Sequence, residues 1–563
     1  MFKFFGSGKD DSCAKRCAPV KPDEGEFDKD AEVVVTPLGS VGGAKLISVY
    51  GHEYYSFEGI PYAEPPLGQL RFKSPVPVKT WTGIKDCRYS NRKAMQKNLQ
   101  GVIEGSEDCL YLNIFSKDIH SKTKLPVMVW IHGGGFSMGS CIKDYICGPD
   151  YFMMEDIVLV TFNYRLSMFG FLSLCDPSVS VPGNAGLKDQ VLALKWVKNN
   201  ISYFGGDVSC ITLFGQDAGA VSVHFMLSTD RACNLFHKAI CQSGCMLHDW
   251  AISYDAIEMS YLLACRKGYK GSRDDDKSIL KFLQSVPAEK LVDIDDLDTV
   301  GRYKGYFSAF MPSIEPYESD DSIIAKPIWE LIRSAWGNNV PLILGATSFE
   351  GLCMYPVLKK IPELLERLRN KWERLLPNDV TACDDQTKLI ENVMATHGVD
   401  SNIGRENMCA LLDYYSYRLF LHGMRRFLLA RCKYAKASTY HYRFDHDTTN
   451  FNHHRIIYCG NDVSSGVAHG DDLSYLFYSY YTIKPKPETC EYSVIKRMIK
   501  MLTAFAKTSN PNCEYICNWS SISEAGIQKW LNMGADWSFI SIPNEVEEKY
   551  AAWDNLYGAC LVG

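Results

Sequence analysis

The feature that most constrains this chain is a sharp corner between a strand and a helix at residues 214–220, FGQDAGA. Residues 210–214, CITLF, are apolar and typical of a short buried strand. Residues 218–223, AGAVSV, predict the start of a helix. A glycine stands two residues to either side of the corner, which indicates a strained turn that neighbouring backbone approaches closely. The side chain at the corner itself is the carboxylate of Asp217.

A strand, a tight turn between glycines and a helix together form the nucleophile elbow of the α/β-hydrolase fold. The usual residue at the centre of that elbow is serine, whereas here it is Asp217. Whether the chain hydrolyses esters, or derives from a protein that did, therefore depends on this single substitution.

The rest of the chain alternates between strand-like and helical patterns. Short apolar runs bounded by turn residues predict strands at residues 127–132, 157–162, 341–345 and 439–444. Apolar residues at helical spacing predict helices over residues 187–197 and 494–505. This alternation indicates an α/β fold with a large, mostly parallel central sheet covered by helices on both faces.

Composition limits the function classes. The 563 residues are 46% hydrophobic and 22% charged, with a formal net charge of −6. There is no basic surplus, so nucleic acid is not expected as a partner. We find no internal repeat and no long flexible linker, which favours a single domain over residues 31–563. Residues 1–30 are charged and rich in turn residues, and we expect them to be poorly ordered.

The N-terminal residues 1–11 do not have the pattern of a secretory signal, because their apolar run is short and acidic residues follow at once. Either this terminus is frayed, or Phe2, Phe4 and Phe5 make weak contact with a membrane surface. No run of about 18 apolar residues is present, so no transmembrane segment is expected.

The 21 cysteines have no repeating spacing, and without an export signal they predict reduced thiols. Cys13 and Cys17 have no second pair nearby, so neither a metal nor another cofactor is expected. We therefore expect an intracellular protein, either in the cytoplasm or on the cytoplasmic face of internal membranes.

A glycine-rich loop, HGGGF at residues 132–136, follows one of the predicted strands. Its glycines leave backbone N–H groups unshielded, although such a loop taken alone is more often a turn than an anion site. Upstream of an elbow, the loop is expected to donate to an oxyanion, together with the N–H that follows the corner residue. The predicted donors are Gly134, Gly135 and Ala218.

The order expected for this fold is nucleophile, then acid, then histidine. The segment GATSFEG follows a predicted strand and offers Glu350, and the later segment GVAHGDD offers His469. Either residue taken alone fits a solvated surface position as well. The predicted catalytic group is Asp217 at the nucleophile position with Glu350 and His469.

Several longer motifs carry a resemblance to a known family. They are FEGIPYA (57–63), EDCLYLN (107–113), NYR (163–165), GNAGLKDQ (183–190), FGGD (204–207), QSG (242–244) and FAKTSNP (505–511). Over residues 31–556 the chain resembles the carboxylesterase type B family, which includes cholinesterases, and in character it is closest to the insect α-esterases. The resemblance implies that Glu350 and His469 complete the triad. It also implies that the hydroxyl of Ser243 supports them and that Trp250 forms part of the acyl-pocket wall.

The chain also departs from that family. Residues 90–106 contain no tryptophan, so the aromatic residue that stacks on choline in cholinesterases is missing. The cysteines that pair with Cys109 and Cys265 in the family are replaced, at about Met95 and Phe282. The loss of both bridges agrees with reduced thiols and with an α-esterase-like protein.

The most consequential departure is Asp217 itself. In a serine esterase the histidine deprotonates the hydroxyl, and the alkoxide attacks the ester carbonyl. A carboxylate that attacked this carbonyl would be expelled again, because it is a better leaving group than an alkoxide. We therefore expect conventional turnover to be strongly impaired, whereas apolar walls and oxyanion donors still bind small hydrophobic esters. Beside His469 at a helix N-terminus, Asp217 is expected to stay ionised and to hold the ring as an imidazolium.

Two alternatives stay open on the sequence. The first is an active hydrolase, with residual ester hydrolysis or with Asp217 attacking the saturated carbon of epoxides or alkyl halides. Epoxide hydrolases and haloalkane dehalogenases of the same fold work in this way, but we find no motif here for donors to the leaving group. The second alternative is a non-catalytic scaffold or adhesion protein, although the family members known for adhesion are secreted or membrane-anchored.

Overall fold

The structure is a computed structural model, and it describes residues 32–294, 308–360, 365, 375–380, 384–399, 407–479 and 482–562. The segment 1–30, which we predict to be poorly ordered, lies outside these residues.

Strands run through the described part of the chain from one end to the other. They are β1 (Glu32–Thr36), β2 (Gly39–Ile47), β3 (Glu53–Pro61), β4 (Ile84–Asp86), β5 (Gln96–Lys97), β6 (Ile103–Glu104), β7 (Tyr111–Ser116), β8 (Leu125–Ile131), β9 (Val158–Phe162), β10 (Gly206–Gln216), β11 (Lys238–Gln242), β12 (Leu342–Thr347), β13 (Thr439–Phe444), β14 (Lys529–Met533) and β15 (Trp537–Ser541). The strands β8, β9, β10, β12 and β13 contain or overlap the segments predicted from the sequence.

Among the described residues, thirteen of these strands form one sheet in the order β1-β2-β3-β7-β9-β8-β10-β11-β12-β13-β14-β15, with β4 beside β2. All neighbours from β9 to β14 are parallel. Antiparallel pairs lie toward the two edges, among β1, β2, β3, β7 and β9 and between β14 and β15. The large, mostly parallel sheet confirms the predicted fold class.

Helices connect the parallel strands, as crossover geometry requires. They are α1 (Ser167–Phe171), α2 (Ala185–Asn200), α3 (Ala218–Ser228), α4 (Ala256–Arg266), α5 (Asp276–Ser285), α6 (Ala288–Val292), α7 (Ile328–Ser334), α8 (Tyr355–Lys360), α9 (Asp384–Thr396), α10 (Met408–Ser416), α11 (His422–Tyr434), α12 (His453–Cys459), α13 (Cys490–Thr508), α14 (Ile522–Ala525) and α15 (Asn544–Tyr557). The helices α2 and α13 cover the two helices predicted from apolar spacing. A π-helical turn at Tyr417–Leu421 links α10 to α11.

The sheet separates two hydrophobic cores. Alternate residues of β8 face opposite sides, with Val127, Val129 and Ile131 in one core and Met128 and Trp130 in the other. A strand that is buried on both faces needs apolar residues at every position, which explains its unbroken apolar run. No helix in the described ranges has the combined length and apolar character needed to cross a bilayer.

The carboxyl ends of neighbouring parallel strands meet at one edge of the sheet, where ligands usually bind in folds of this kind. The glycine loop 132–136 follows β8, Asp217 follows β10, and Glu350 comes shortly after β12. His469 lies in the loop between α12 and a 3₁₀ turn at Asp471–Tyr475. The fold therefore gathers the candidate side chains from distant parts of the sequence.

Candidate active site

Asp217 occupies the corner between β10 and α3, with backbone angles φ 55° and ψ −126°. A non-glycine residue rarely adopts these angles, so the corner is strained. Close packing holds the corner in place, because a Cβ atom on Gly219 would lie 2.0 Å from the carbonyl oxygen of Ile131. The N–H of Asp217 also donates to the carbonyl oxygen of Gln242 at 2.9 Å. The carboxylate is thereby aimed at the glycine loop.

The glycine loop presents main-chain donors to this carboxylate. The N–H groups of Gly134 and Gly135 each donate to Asp217 Oδ2, both at 2.8 Å. The φ angles of these glycines are 111° and 57°, and a residue with a side chain would be strained at either angle. The N–H of Ala218, the third predicted donor, helps to lower the pKa of this carboxylate. Two of the three predicted donors thus converge on Asp217 Oδ2, and the side chain of Asp217 fills the place that they face.

This occupancy differs from the sequence-based expectation that the donors would stay open to a ligand. The carboxylate of Asp217 reaches them because it extends one atom further than a serine hydroxyl. Its negative charge also strengthens each N–H hydrogen bond and is favoured at the N-terminus of α3. The donor set is intact, but it binds the protein's own side chain.

His469 lies between the carboxylates of Glu350 and Asp217. Its Nδ1 is 2.5 Å from Glu350 Oε2, and its Nε2 is 3.5 Å from Asp217 Oδ1. The other oxygen of Glu350 accepts hydrogen bonds from the Ser243 hydroxyl at 2.5 Å and from the Thr347 N–H at 2.7 Å. The structure therefore brings Asp217, His469, Glu350 and Ser243 into one connected network.

Comparison with known proteins identifies the family. The model of the carboxylesterase family matches residues 30–552. The chain belongs to the carboxylesterase family. The family and the esterase names of its relatives support a scaffold of the carboxylic ester hydrolase class.

Relatives from insects match this family member along nearly its whole length. Esterase B1 of Culex pipiens is 36% identical over 534 residues, covering 93% of this chain and 98% of its own. Juvenile hormone esterase of Tribolium castaneum is 34% identical over 519 residues, covering 87% of this chain and 86% of its own. The crystal structure of juvenile hormone esterase from Manduca sexta, with OTFP covalently attached, superposes with a TM-score of 0.83 at 28% identity. That match covers 94% of this chain and 99% of the other.

Electrostatics in this carboxylesterase-family site favour an ion pair. Burial alone would raise the pKa of Asp217, but the contact with His469 at 3.5 Å and the charge of that ring outweigh burial. With the N–H groups of Ala218 and Gly135, they lower the pKa of Asp217 to about 2. Burial lowers the pKa of His469, but the carboxylates of Glu350 and Asp217 outweigh this effect and raise it to about 10. These shifts predict a carboxylate at the corner and an imidazolium ring at neutral pH.

Sequence reasoning missed Gln216, the residue directly before the corner. Its side-chain amide nitrogen lies 3.0 Å from His469 Nε2. An imidazolium donates at both ring nitrogens, so a charged His469 requires the amide of Gln216 to turn its oxygen toward the ring, whereas a neutral Nε2 accepts from the amide nitrogen as placed. The neighbouring position of Gln216 on β10 was the signal that could have revealed it.

Trp250, predicted as part of the acyl-pocket wall, is fully buried and donates from Nε1 to the carbonyl oxygen of Leu419 at 2.7 Å. It reaches the site through other rings: it packs edge-on against Phe420, which stacks on His469 with ring centroids 4.3 Å apart. The His248 ring stacks on Trp250 at 5.3 Å. Phe420 lies on the π-helical turn, and no periodic sequence signal marks it or His248 as part of the site.

Asp471 and Asp472 anchor the loop that carries His469. Asp471 Oδ1 accepts from the N–H of His454 at 2.8 Å, and its Oδ2 accepts from the N–H of Ala468 at 2.7 Å. Asp472 Oδ2 accepts from Gln242 Nε2 at 2.8 Å. Burial is the main cause that raises the pKa of each aspartate to about 7. These buried hydrogen bonds of Asp471 and Asp472 hold the loop that positions His469 at the sheet edge.

Proposed function

We propose that this carboxylesterase-family protein binds small hydrophobic esters and that Asp217 strongly impairs their turnover by the serine-esterase route. One observation carries the proposal: Asp217 Oδ2 accepts hydrogen bonds from both Gly134 and Gly135. The group that replaces the attacking hydroxyl therefore also occupies the donors that an ester oxyanion would need.

Two losses combine in this arrangement. No hydroxyl stands at the corner, so no alkoxide forms there. The developing oxyanion of an ester would also have to displace a buried carboxylate from its donors, and the two negative charges would repel each other. Serine hydrolases that lack triad members still accelerate the reaction about 10³–10⁴-fold over water. This remaining catalysis comes from the oxyanion hole and from substrate binding. Here the oxyanion hole contributes little, so residual catalysis falls below that range.

The charge of the site favours neutral ligands. Two carboxyl groups, those of Asp217 and Glu350, flank the single ring of His469, so acidic groups outnumber basic groups at this centre. Phe420 stacks on His469 and Trp250 packs behind it, so the surroundings of this centre on that side are apolar. An uncharged ester therefore fits better than the carboxylate product that its hydrolysis would release.

The test compares hydrolysis of p-nitrophenyl butyrate by the wild-type protein, D217S and D217A. We expect D217S to exceed the wild type by at least ~10³-fold, because the serine restores a nucleophile and frees the donors. D217A frees the donors without supplying a nucleophile, and D217S with H469Q lacks the base, so both should stay far below D217S. Equal turnover in the wild type and folded D217S would refute the impairment.

Ligand binding is measured separately, as the rise in melting temperature of the wild-type protein with p-nitrophenyl butyrate. Sodium butyrate at the same concentration is the matched control, since it has the same acyl chain but a negative charge. We expect stabilisation by the ester and little by the anion. No stabilisation by the ester up to its solubility limit would refute the binding claim.

We also propose an intracellular location, in the cytoplasm or on the cytoplasmic face of internal membranes. The cysteines of the described residues support it, because they are free thiols, as is usual in a reducing compartment. Fractionation of cells that express the full chain tests it, and recovery from the medium would contradict it.

A further inference from the structure

The two oxygens of Asp217 have different surroundings. Oδ2 is fixed by the N–H groups of Gly134 and Gly135. Oδ1 faces the His469 ring at 3.5 Å, which is longer than a strong hydrogen bond. The side chains of Asp217 and His469 each keep about 10% of their surface exposed. Oδ1, which the glycine loop does not hold, is the oxygen that we expect to react.

This arrangement suits an ester that forms on Asp217 itself. If Oδ1 bonds to a carbon atom, Oδ2 becomes the carbonyl oxygen of an ester and already lies against its oxyanion donors. His469, held by Glu350, lies on the side of Oδ1 and can activate water toward the Asp217 carbonyl carbon. The hydrogen bonds from Gly134 and Gly135 to Oδ2 obstruct hydrolysis of a bound ester substrate. The same hydrogen bonds would assist hydrolysis of an ester formed on Asp217 itself.

We propose that Asp217 is a nucleophile toward saturated carbon, and that the protein opens small hydrophobic epoxides to diols through an alkyl ester on Asp217 Oδ1. The epoxide is favoured over an alkyl halide because its leaving oxygen needs a proton, and the neighbouring imidazolium of His469 can supply one. This activity goes beyond the proposed ester binding and does not depend on it.

In the first step, Oδ1 attacks an epoxide carbon, a new C–O bond forms, and the ring C–O bond breaks with its electron pair on oxygen. His469 Nε2–H gives its proton to that oxygen. The products of this step are a hydroxyalkyl ester of Asp217 and a neutral His469. Charge balances, because the negative carboxylate and the positive ring are both neutralised.

In the second step, neutral His469 takes a proton from water while the hydroxide attacks the carbonyl carbon of the Asp217 ester. The negative charge forms on Oδ2, where Gly134 and Gly135 donate. Collapse breaks the bond between the carbonyl carbon and the alkyl oxygen, which takes the proton from His469. The new carboxylic acid then returns its proton to His469, which restores the ion pair, and the sum is epoxide plus water to diol.

The assignment is tested with styrene oxide as the probe and with wild-type protein, D217N and H469Q. We expect the wild type to form the diol and D217N to form none above background, because an amide oxygen is a poor nucleophile. H469Q should lower diol formation by at least ~10²-fold, because it removes both the proton donor of the first step and the base of the second. Peptide mass spectrometry of the wild type, quenched during turnover, locates the hydroxyalkyl ester on Asp217.

A measurement on the unmodified protein avoids reliance on the folding of variants. In a single turnover in ¹⁸O water, the label should enter the Asp217 carboxylate, and the new diol oxygen should come from Asp217. Label that enters the diol directly, or the absence of both turnover and an Asp217 adduct, would overturn the proposal. The D217S ester assay is independent, so failure here leaves the proposed ester binding to its own test.

Discussion

At the scale of single residues, the carboxyl group at position 217 changes both the charge and the reach of the corner side chain. It replaces a hydroxyl by an anion that engages Gly134 and Gly135 and pairs with His469. The supporting residues behind it are retained, since Ser243 and Glu350 still contact each other at 2.5 Å. The site therefore retains Glu350 and Ser243, the residues that support His469, but has a carboxylate in place of the attacking hydroxyl.

This reading makes a prediction about Ser243, whose hydroxyl donates to the buried Glu350. S243A should lower the free energy of unfolding by about 1.5–3 kcal/mol, the value of a hydrogen bond to a charged group. The matched control is S116A, because Ser116 is equally buried and its hydroxyl has no partner among the described residues. S116A should be neutral or slightly stabilising. Urea denaturation at neutral pH measures the free energy of unfolding of both variants. An equal decrease in the two variants would contradict the role of Ser243.

At the scale of elements, the corner between β10 and α3 depends on close backbone contact. G219A should destabilise the fold by more than about 2 kcal/mol, because the new Cβ would lie 2.0 Å from the Ile131 carbonyl oxygen. The control is G51A, where φ is +84° but no atom lies within 4 Å. It should cost only the backbone strain of about 1–2 kcal/mol. Thermal and urea unfolding compare the two, and a smaller loss for G219A would show that the corner can shift freely.

The elements themselves could largely be predicted from the sequence. Apolar runs marked β8, β9, β12 and β13 because a strand buried on both faces is continuously apolar. The pairing of Gln216 with His469 and the stacking of Phe420 on His469 could not be predicted, because loops and a π-helical turn bring these residues together. Such contacts follow from loop geometry, which leaves no periodic pattern.

At the scale of the whole molecule, the sheet edge collects side chains separated by more than two hundred residues into one charged network. Motifs predicted which of them would meet, namely Asp217, Glu350 and His469. They did not predict that the carboxylate would fill the oxyanion donors, because this depends on the length of one side chain relative to the position of two N–H groups. The catalytic roles of Asp217, Glu350 and His469 remain predictions, which the ester and epoxide assays test.

We predict that the carboxylate in the oxyanion donors holds His469 as an imidazolium. Its pKa is raised to about 10 from an ordinary value of 6.5, so its contribution to stability is complete below about pH 6.5 and is lost as pH rises through about 10. NMR titration of ¹⁵N-histidine-labelled wild type and D217S, with the signal assigned by H469Q, measures this directly. We predict that His469 stays charged at pH 7 in the wild type and titrates at a lower pH in D217S. A neutral His469 at pH 7 in the wild type would contradict the account.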